Sequence, residues 1–231
     1  MSNFTNRAFI FDMDGTIVDN MRFHGEAWVR FFAEIGHETD PNEFLIRTAG
    51  MTNHEIFRQM FGDGASDEQI EKYATRKEEL YRNSFRLNLA AVAGLIEFLE
   101  KAKKLGVKMA VATSAPPENI EFVLDGLDLR KYFDAITGAN DISNGKPDPE
   151  IFLKSAEKLA VEPQNCIVFE DAFKGFEAAH AAKMKSVAIT TVNKSGELKN
   201  LPSVVEVIDD FTNLEPSELI EKHLPLSLEA K

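Results

Sequence analysis

Short apolar runs rich in β-branched residues alternate along this chain with longer stretches in which apolar residues recur at helical spacing. The alternation predicts a Rossmann-like α/β core, in which a parallel sheet has helices on both faces. The candidate strands are 8–11, 107–112, 135–137, 166–169, 186–189 and 204–208. Polar, Gly or Pro residues follow each of the first four strands, at the carboxyl ends where open parallel sheets bind their ligands.

The first two candidate strands are separated by almost one hundred residues, far more than an ordinary strand-to-helix connection needs. Helical spacing within this segment covers residues 23–35, 54–61 and 67–85, with Gly36, Pro41, Gly50 and residues 62–64 as breaks. We therefore predict an α-helical subdomain or lid at residues 20–85. It is inserted into a core domain formed by residues 1–19 and 86–224, in which residues 92–105 form a helix. Residues 225–231 are predicted to be a flexible tail.

Composition and charge narrow the class of protein. The 231 residues are 44% hydrophobic and 28% charged, as in an ordinary globular protein. A net charge of −12 argues against binding to nucleic acid or to an anionic membrane. The sequence has no apolar run near the roughly 20 residues of a membrane span and does not begin like a signal peptide, so we expect a cytoplasmic protein. We also expect a monomer. The single cysteine, Cys166, lies in an apolar run and is predicted to be a small buried hydrophobic residue.

Two carboxylates follow the first candidate strand in the segment Phe11-Asp12-Met13-Asp14-Gly15-Thr16. If the strand continues through Asp12, the side chains of Asp12 and Asp14 leave the sheet on the same side. A hard divalent cation such as Mg²⁺, bound by carboxylates and substrate phosphate, would relieve their mutual repulsion. The alternative is an ordinary turn that contains aspartate and ends at Gly15.

The next three strands are each followed by groups suited to an anion or a cation. Thr113 and Ser114 offer hydroxyls where a helix begins, although Ser and Thr are also common helix caps. Lys146 lies between Gly145 and Pro147, in a stiff loop that could present its charge to a phosphate. The fourth strand ends in a second acidic pair, Glu170-Asp171.

These four motifs, in this order, resemble those of the haloacid dehalogenase superfamily of phosphotransferases. The segment from Phe11 to Thr16 resembles the first motif, Thr113 the second, Lys146 the third and the pair Glu170-Asp171 the fourth. The long helical segment after the first motif resembles the cap of the β-phosphoglucomutase-like branch.

The resemblance implies that Asp12 is a nucleophile that forms an aspartyl phosphate and that Asp14 is the general acid and base. It also implies Mg²⁺ held by Asp12, by the backbone carbonyl of Asp14 and by Asp171, with Glu170 in or near the coordination shell. Thr113, Ser114 and Lys146 would then hold the phosphoryl oxygens.

Substrate selection is expected to lie in the cap, which can close over the strand ends and exclude water. His24, Thr52, Asn53 and Lys77 are the candidate substrate contacts. Trp28 shares a helix face with Phe31 and Phe32 and is interpreted as a core residue, and Arg47 as a solvated one.

The cap loop departs from the pattern of the mutases. Ala49 and Asn53 stand where β-phosphoglucomutases carry a lysine and an arginine that grip the non-reacting phosphate. A mutase has to bind a bisphosphate intermediate, and this loop lacks those two cations. We therefore expect a phosphatase of a small phosphorylated metabolite, a sugar phosphate. The alternatives are a β-phosphoglucomutase that uses Lys77 and Arg47 and a non-catalytic binding protein, which would have no need for both Asp12 and Asp14.

Overall fold

The computed structural model describes residues 4–37, 40–48 and 50–224; the predicted tail, 225–231, lies outside them. The described residues form one parallel sheet with strands β1 (Ala8–Phe11), β2 (Lys108–Ala112), β3 (Ala135–Thr137), β4 (Cys166–Glu170), β5 (Lys185–Ile189) and β6 (Val204–Ile208). The strand order β3-β2-β1-β4-β5-β6 places the first strand of the chain inside the sheet. The predicted Rossmann-like α/β fold is thus confirmed, and no strand bound differs from its predicted position by more than one residue.

The central strand β1 is buried on both faces of the sheet, which explains its run of apolar residues. Phe9 and Phe11 lie on one face, where the ring of Phe11 stacks on that of Phe169 at a centroid distance of 4.6 Å. Ala8 and Ile10 lie on the other face, within a separate cluster of mostly small side chains. Both faces therefore hold in place the strand whose carboxyl end carries the first motif.

Helices cover the sheet and form the long insertion. Their bounds are α1 (Met21–Ile35), α2 (Pro41–Thr48), α3 (Asn53–Phe61), α4 (Asp67–Phe85), α5 (Leu95–Lys104), α6 (Pro117–Leu124), α7 (Glu150–Leu159), α8 (Phe173–Ala181), α9 (Ser195–Leu198) and α10 (Pro216–His223). Helix α5 begins at Leu95, three residues later than predicted, because Gly94 before it has a φ of +76°. Helix α2 was not predicted. Its first residue, Pro41, was interpreted as a break, but proline is favoured at the first position of a helix because its missing N–H is not needed there.

Helices α1 to α4 lie between β1 and β2 in the chain and have a hydrophobic core of their own. The Trp28 ring is at the centre of this core, with the rings of Phe32, Phe44 and Phe57 at centroid distances of 5.3, 4.8 and 5.3 Å. Trp28 is therefore a core residue, as its helical spacing predicts. A separate core supports the prediction that this segment is a domain, and its boundaries at residues 20 and 85 stay a prediction.

The two segments that connect the insertion to the sheet run side by side. Val18 forms an isolated β-bridge with Ala91, and the N–H of Val92 donates to the carbonyl of Ile17 at 2.9 Å. The insertion is thus anchored next to the carboxyl end of β1. None of the helices in the described part of the chain is long and apolar enough to cross a membrane.

Candidate active site

Loops at the carboxyl ends of β1 to β4 meet at one edge of the sheet. Asp12 follows β1, Thr113 follows β2, Lys146 lies in the loop after β3, and Glu170 ends β4 next to Asp171. All five residues line a cavity of about 510 Å³ that also contacts the helical insertion. The structure thus brings together the groups that the four sequence motifs single out.

Three of these groups form a buried acidic cluster. Asp12, Glu170 and Asp171 each offer a carboxylate oxygen, and these oxygens lie within 4.8 Å of one another. The Lys146 ammonium lies 2.6 Å from Oδ1 of Asp12 and 2.7 Å from Oε2 of Glu170. The backbone N–H of Ala172 also donates to Glu170, at 3.1 Å. Lys146 therefore neutralises part of the cluster and fixes the orientation of two of its members.

Burial opposes ionisation of this cluster. It raises the pKa of Asp12 to about 8, although the attraction of Lys146 acts in the opposite direction. Burial and the charge of Glu170 also raise the pKa of Asp171 well above its ordinary value. Burial by itself would lower the pKa of Lys146, but Asp12 and Glu170 outweigh it and raise that pKa. One ammonium faces three buried carboxylates, and their hard oxygen donors fit a small divalent cation such as Mg²⁺.

Two glycines leave the space that the carboxylates occupy. A Cβ on Gly15 would lie 2.2 Å from Oδ2 of Asp171, and a Cβ on Gly175 would lie 2.0 Å from Cδ of Glu170. Both distances are below 3.0 Å, and real Cβ atoms essentially never lie so close to another atom. Gly15 also has a φ of +81°, a conformation that residues with a side chain rarely adopt. Both glycines are therefore needed for the observed positions of the carboxylates.

The Asp14 carboxylate lies apart from the acidic cluster of the described residues and has a different environment. The Asn20 amide donates to its Oδ1 at 2.6 Å, and Nε2 of His24 lies 3.6 Å from the same oxygen. On the other side of the His24 ring, Nδ1 lies 2.9 Å from the Lys77 ammonium. An ammonium can only donate, so Nδ1 accepts and the proton of the neutral ring is on Nε2, the nitrogen nearer to Asp14.

The hydroxyl pair after β2 has two different roles in the structure. Oγ1 of Thr113 accepts a hydrogen bond from the N–H of Ala115 at 3.1 Å. Oγ of Ser114 donates to the carbonyl of Gly50 at 2.9 Å and so connects the core to the insertion. Both residues line the cavity, where their use as phosphate ligands stays a prediction.

The candidate cap residues divide into two groups. His24, Asn53 and Lys77 line the cavity, whereas Thr52 does not. Thr52 is the N-cap of α3, and its hydroxyl donates to the Glu55 carboxylate at 2.9 Å. The local capping box therefore explains Thr52 without a substrate contact.

Arg47 and Ala49 are the two other cap positions that bear on the mutase alternative, and in the described residues neither adds a cation to the cavity. The Arg47 side chain is exposed, and its guanidinium lies 5.9 Å from the centre of the Phe44 ring. Ala49 lies outside the described residues.

Sequence reasoning missed Glu78, which is buried in α4 and lines the cavity beside Lys77. It also missed Glu55, whose Oε1 accepts the N–H of Gly145 at 2.9 Å, in the loop that carries Lys146. No local sequence signal marks the contacts of Glu78 with Asn53 and Asn119 or that of Glu55 with Gly145, because these partners are distant in the chain. The pattern Thr52-x-x-Glu55 does indicate a capping box, but not the second contact that Glu55 makes with the core.

Fold and site together define a phosphotransferase-type α/β protein with a helical cap, and comparison with known proteins agrees. Residues 9–189 match the haloacid dehalogenase-like hydrolase family. The chain therefore belongs to that family, as its four motifs predict.

Named relatives come from bacteria and a plant. The chain is 34% identical to the fructose-1-phosphate phosphatase of Escherichia coli over 79% of its own length and 95% of that protein. It is 29% identical to the chloroplastic 5-amino-6-(5-phospho-D-ribitylamino)uracil phosphatase of Arabidopsis thaliana, and spans 58% of that protein's length. A solved structure of β-phosphoglucomutase from Clostridium difficile is similar with a TM-score of 0.80 and 30% identity, covering 94% of this chain and 97% of the other.

Proposed function

We propose that this protein is a Mg²⁺-dependent phosphatase of a small phosphorylated metabolite, a sugar phosphate, and that it works through an aspartyl-phosphate intermediate. The observation that carries the proposal is the position of Asp12. Its carboxylate lies at the end of a central strand, 2.6 Å from the Lys146 ammonium and within the acidic cluster. The phosphatases among its relatives support the choice of substrate class.

In the first half of the reaction a carboxylate oxygen of Asp12 attacks phosphorus, and the bond from phosphorus to the ester oxygen breaks. Asp14 in its protonated form gives its proton to that leaving oxygen. The hydrogen bond from Asn20 holds the Asp14 carboxyl in one orientation toward the cavity. Lys146 and Thr113 contact the phosphoryl oxygens as their charge redistributes.

In the second half Asp14 accepts a proton from water, whose oxygen attacks phosphorus. The bond between phosphorus and Asp12 breaks, so that inorganic phosphate leaves and the carboxylate is restored. Bound Mg²⁺, held by Asp12, Asp171 and the backbone carbonyl of Asp14 with Glu170 nearby, would neutralise charge on the phosphoryl group.

A β-phosphoglucomutase is the second candidate, because the similar Clostridium difficile structure has that name. Both reactions use the same core residues and differ in what accepts the phosphoryl group, which is water in a phosphatase and a second sugar hydroxyl in a mutase. The cytoplasmic location and the monomeric state stay predictions from the sequence.

Phosphate release from a panel of hexose, pentose and nucleotide monophosphates tests the proposal, with and without Mg²⁺. We expect the wild-type chain to release phosphate only with Mg²⁺ and Asp12→Asn to release none. The exposed Asp19 provides the matched control Asp19→Asn, which should behave like the wild type. Equal activity of Asp12→Asn and the wild type would contradict the mechanism. Conversion of β-glucose 1-phosphate to the 6-phosphate without phosphate release would show a mutase instead.

A further inference from the structure

Glu78 lies in α4 among the residues that line the cap side of the cavity, and its carboxylate is almost fully buried. The Lys77 ammonium and the Asn53 amide both donate to its Oε1 at 2.8 Å. The amide of Asn119, on the core helix α6, donates to its Oε2 at 2.7 Å. Side chains of two cap helices and one core helix therefore hold this carboxylate in place.

The orientation of the Asn119 amide is itself fixed. Arg82 donates to the Asn119 side-chain oxygen at 2.7 Å, so the Asn119 nitrogen has to face Glu78. Glu78 is also ionised at neutral pH. Burial favours its protonated form, but the charge of Lys77 and the hydrogen bonds from Lys77 and Asn53 outweigh that effect and lower its pKa to about 2. Any substrate group that enters this side of the cavity meets an ionised carboxylate.

The cationic side chains among the described residues of the cavity wall already have partners. Lys77 binds Glu78, Lys146 binds Asp12 and Glu170, and the half-buried Lys174 donates to the carbonyl of Arg47 at 3.0 Å. A second phosphate beneath the cap would therefore meet no unpaired cation among the described residues, because Lys77 and Glu78 neutralise each other. A sugar hydroxyl meets no such obstacle, because a carboxylate offers about four acceptor sites and the three donors around Glu78 use three.

We propose that Glu78 is a specificity residue that restricts the cavity to monophosphates with an uncharged, hydroxyl-bearing remainder and rejects bisphosphates. The proposal rests on the proposed phosphatase function and narrows its substrate class. A direct hydrogen bond between Glu78 and a substrate hydroxyl supplies the selection for the accepted group. The rejection follows because Glu78 occupies the Lys77 ammonium that a second phosphate would need.

The test measures binding in Asp12→Asn chains, in which turnover is blocked, with Mg²⁺ present. The probes are fructose 1-phosphate and fructose 1,6-bisphosphate, which differ by one phosphate, and calorimetry gives a Kd for each. The test variant is Glu78→Gln. The matched control is Glu79→Gln, since the adjacent Glu79 is exposed and the charge change is the same.

We expect Glu78→Gln to shift the ratio of the two Kd values toward the bisphosphate by about tenfold or more, which corresponds to about 1.4 kcal/mol. Glu79→Gln should leave the ratio of the parent chain unchanged. Equal ratios in the two variants would overturn the proposal, as would the failure of the Glu79→Gln chain to bind fructose 1-phosphate. A parent chain that already prefers the bisphosphate would overturn it as well.

A second variant keeps the test decisive if Glu78→Gln does not fold. Asn53 is only half-buried, and Asn53→Lys places a cation beside Glu78. It should shift the Kd ratio in the same direction, and an unchanged ratio would refute the electrostatic argument. Phosphate release by the wild-type chain distinguishes a failure of the phosphatase function from a failure of the role of Glu78. Its absence refutes the phosphatase, whereas an unchanged Kd ratio with intact phosphate release refutes only the role of Glu78.

Discussion

Replacement of Gly175 by alanine would displace the Glu170 carboxylate from the acidic cluster. Gly175 lies in the first turn of α8, and a Cβ there would lie 2.0 Å from Cδ and 2.2 Å from Oε2 of Glu170. Real Cβ atoms almost never lie closer than 3.0 Å to another atom, so the carboxylate has to move by about 1 Å to reach that distance. The movement separates Oε2 of Glu170 from the Lys146 ammonium, which lies 2.7 Å away in the wild-type chain.

The expected loss of stability is modest and the expected loss of activity is large. Weakening one charged hydrogen bond costs about 1.5–3 kcal/mol, and alanine in place of glycine within a helix returns about 1 kcal/mol. Gly175→Ala should therefore lower the free energy of unfolding by about 0.5–2 kcal/mol. The variant should still fold, because the free energy of unfolding of a domain is roughly 5–15 kcal/mol. A displacement of about 1 Å in a catalytic arrangement costs roughly 100-fold in rate.

Urea unfolding and phosphate release over a range of Mg²⁺ concentrations check the two magnitudes separately. We expect the variant to be folded, to need more Mg²⁺ and to turn over about 100-fold more slowly. Gly196→Ala is the control, because a Cβ at Gly196 meets no atom within 4 Å. Wild-type activity and Mg²⁺ dependence in Gly175→Ala would refute the inference that the position of Glu170 matters.

Three further substitutions test other parts of the site. Lys146→Met should abolish phosphate release and cost about 3–5 kcal/mol of stability, since it leaves buried carboxylates without their cation; urea unfolding and the phosphate assay measure both effects. Glu55→Ala should lower the stability by about 0.5–2 kcal/mol, because the capping box is lost. It should also raise KM, because the N–H of Gly145 loses its acceptor, and a wild-type KM would contradict the importance of that contact. The pKa of Glu78 is about 2 in the folded chain and 4.5 ordinarily, so its ionised form stabilises the fold above pH 4.5. As the pH falls from about 4.5 toward 2, the wild type should therefore lose about 3 kcal/mol more stability than Glu78→Gln. Parallel pH profiles of the two chains in denaturant unfolding would contradict this shift.

The strands could be predicted from the sequence because each is a short apolar run with polar or Gly/Pro residues after it. The same pattern predicted which residues lie at the carboxyl ends of β1 to β4, and parallel strands bring those ends to one edge. Asp12, Lys146 and Asp171 therefore lie together in the structure as their positions after strands indicate. Helix α2 was missed because a proline can start a helix as well as interrupt one.

The contacts around Glu78 could not be predicted from the sequence. Glu78 belongs to the charged run Arg76-Lys77-Glu78-Glu79, in which the residues on either side of the Lys77-Glu78 pair are solvent-accessible. Its burial depends on Asn53 and Asn119, which lie 25 and 41 residues away in the chain. Helical periodicity indicates which face of α4 is apolar, but not that a carboxylate on it meets three donors.

Because β1 lies inside the sheet, its pairing with neighbouring strands is incomplete while the chain is being synthesised. The ribosome releases β1 and Asp12 early, whereas β4 and its carboxylates follow only after the insertion, β2 and β3. Until then β1 can pair with β2 on one side only, and its other edge is open to any strand nearby. A nascent chain therefore carries Asp12 before Glu170 and Asp171 have been made, and the edge of β1 that pairs with β4 in the folded protein stays open to other strands until β4 arrives.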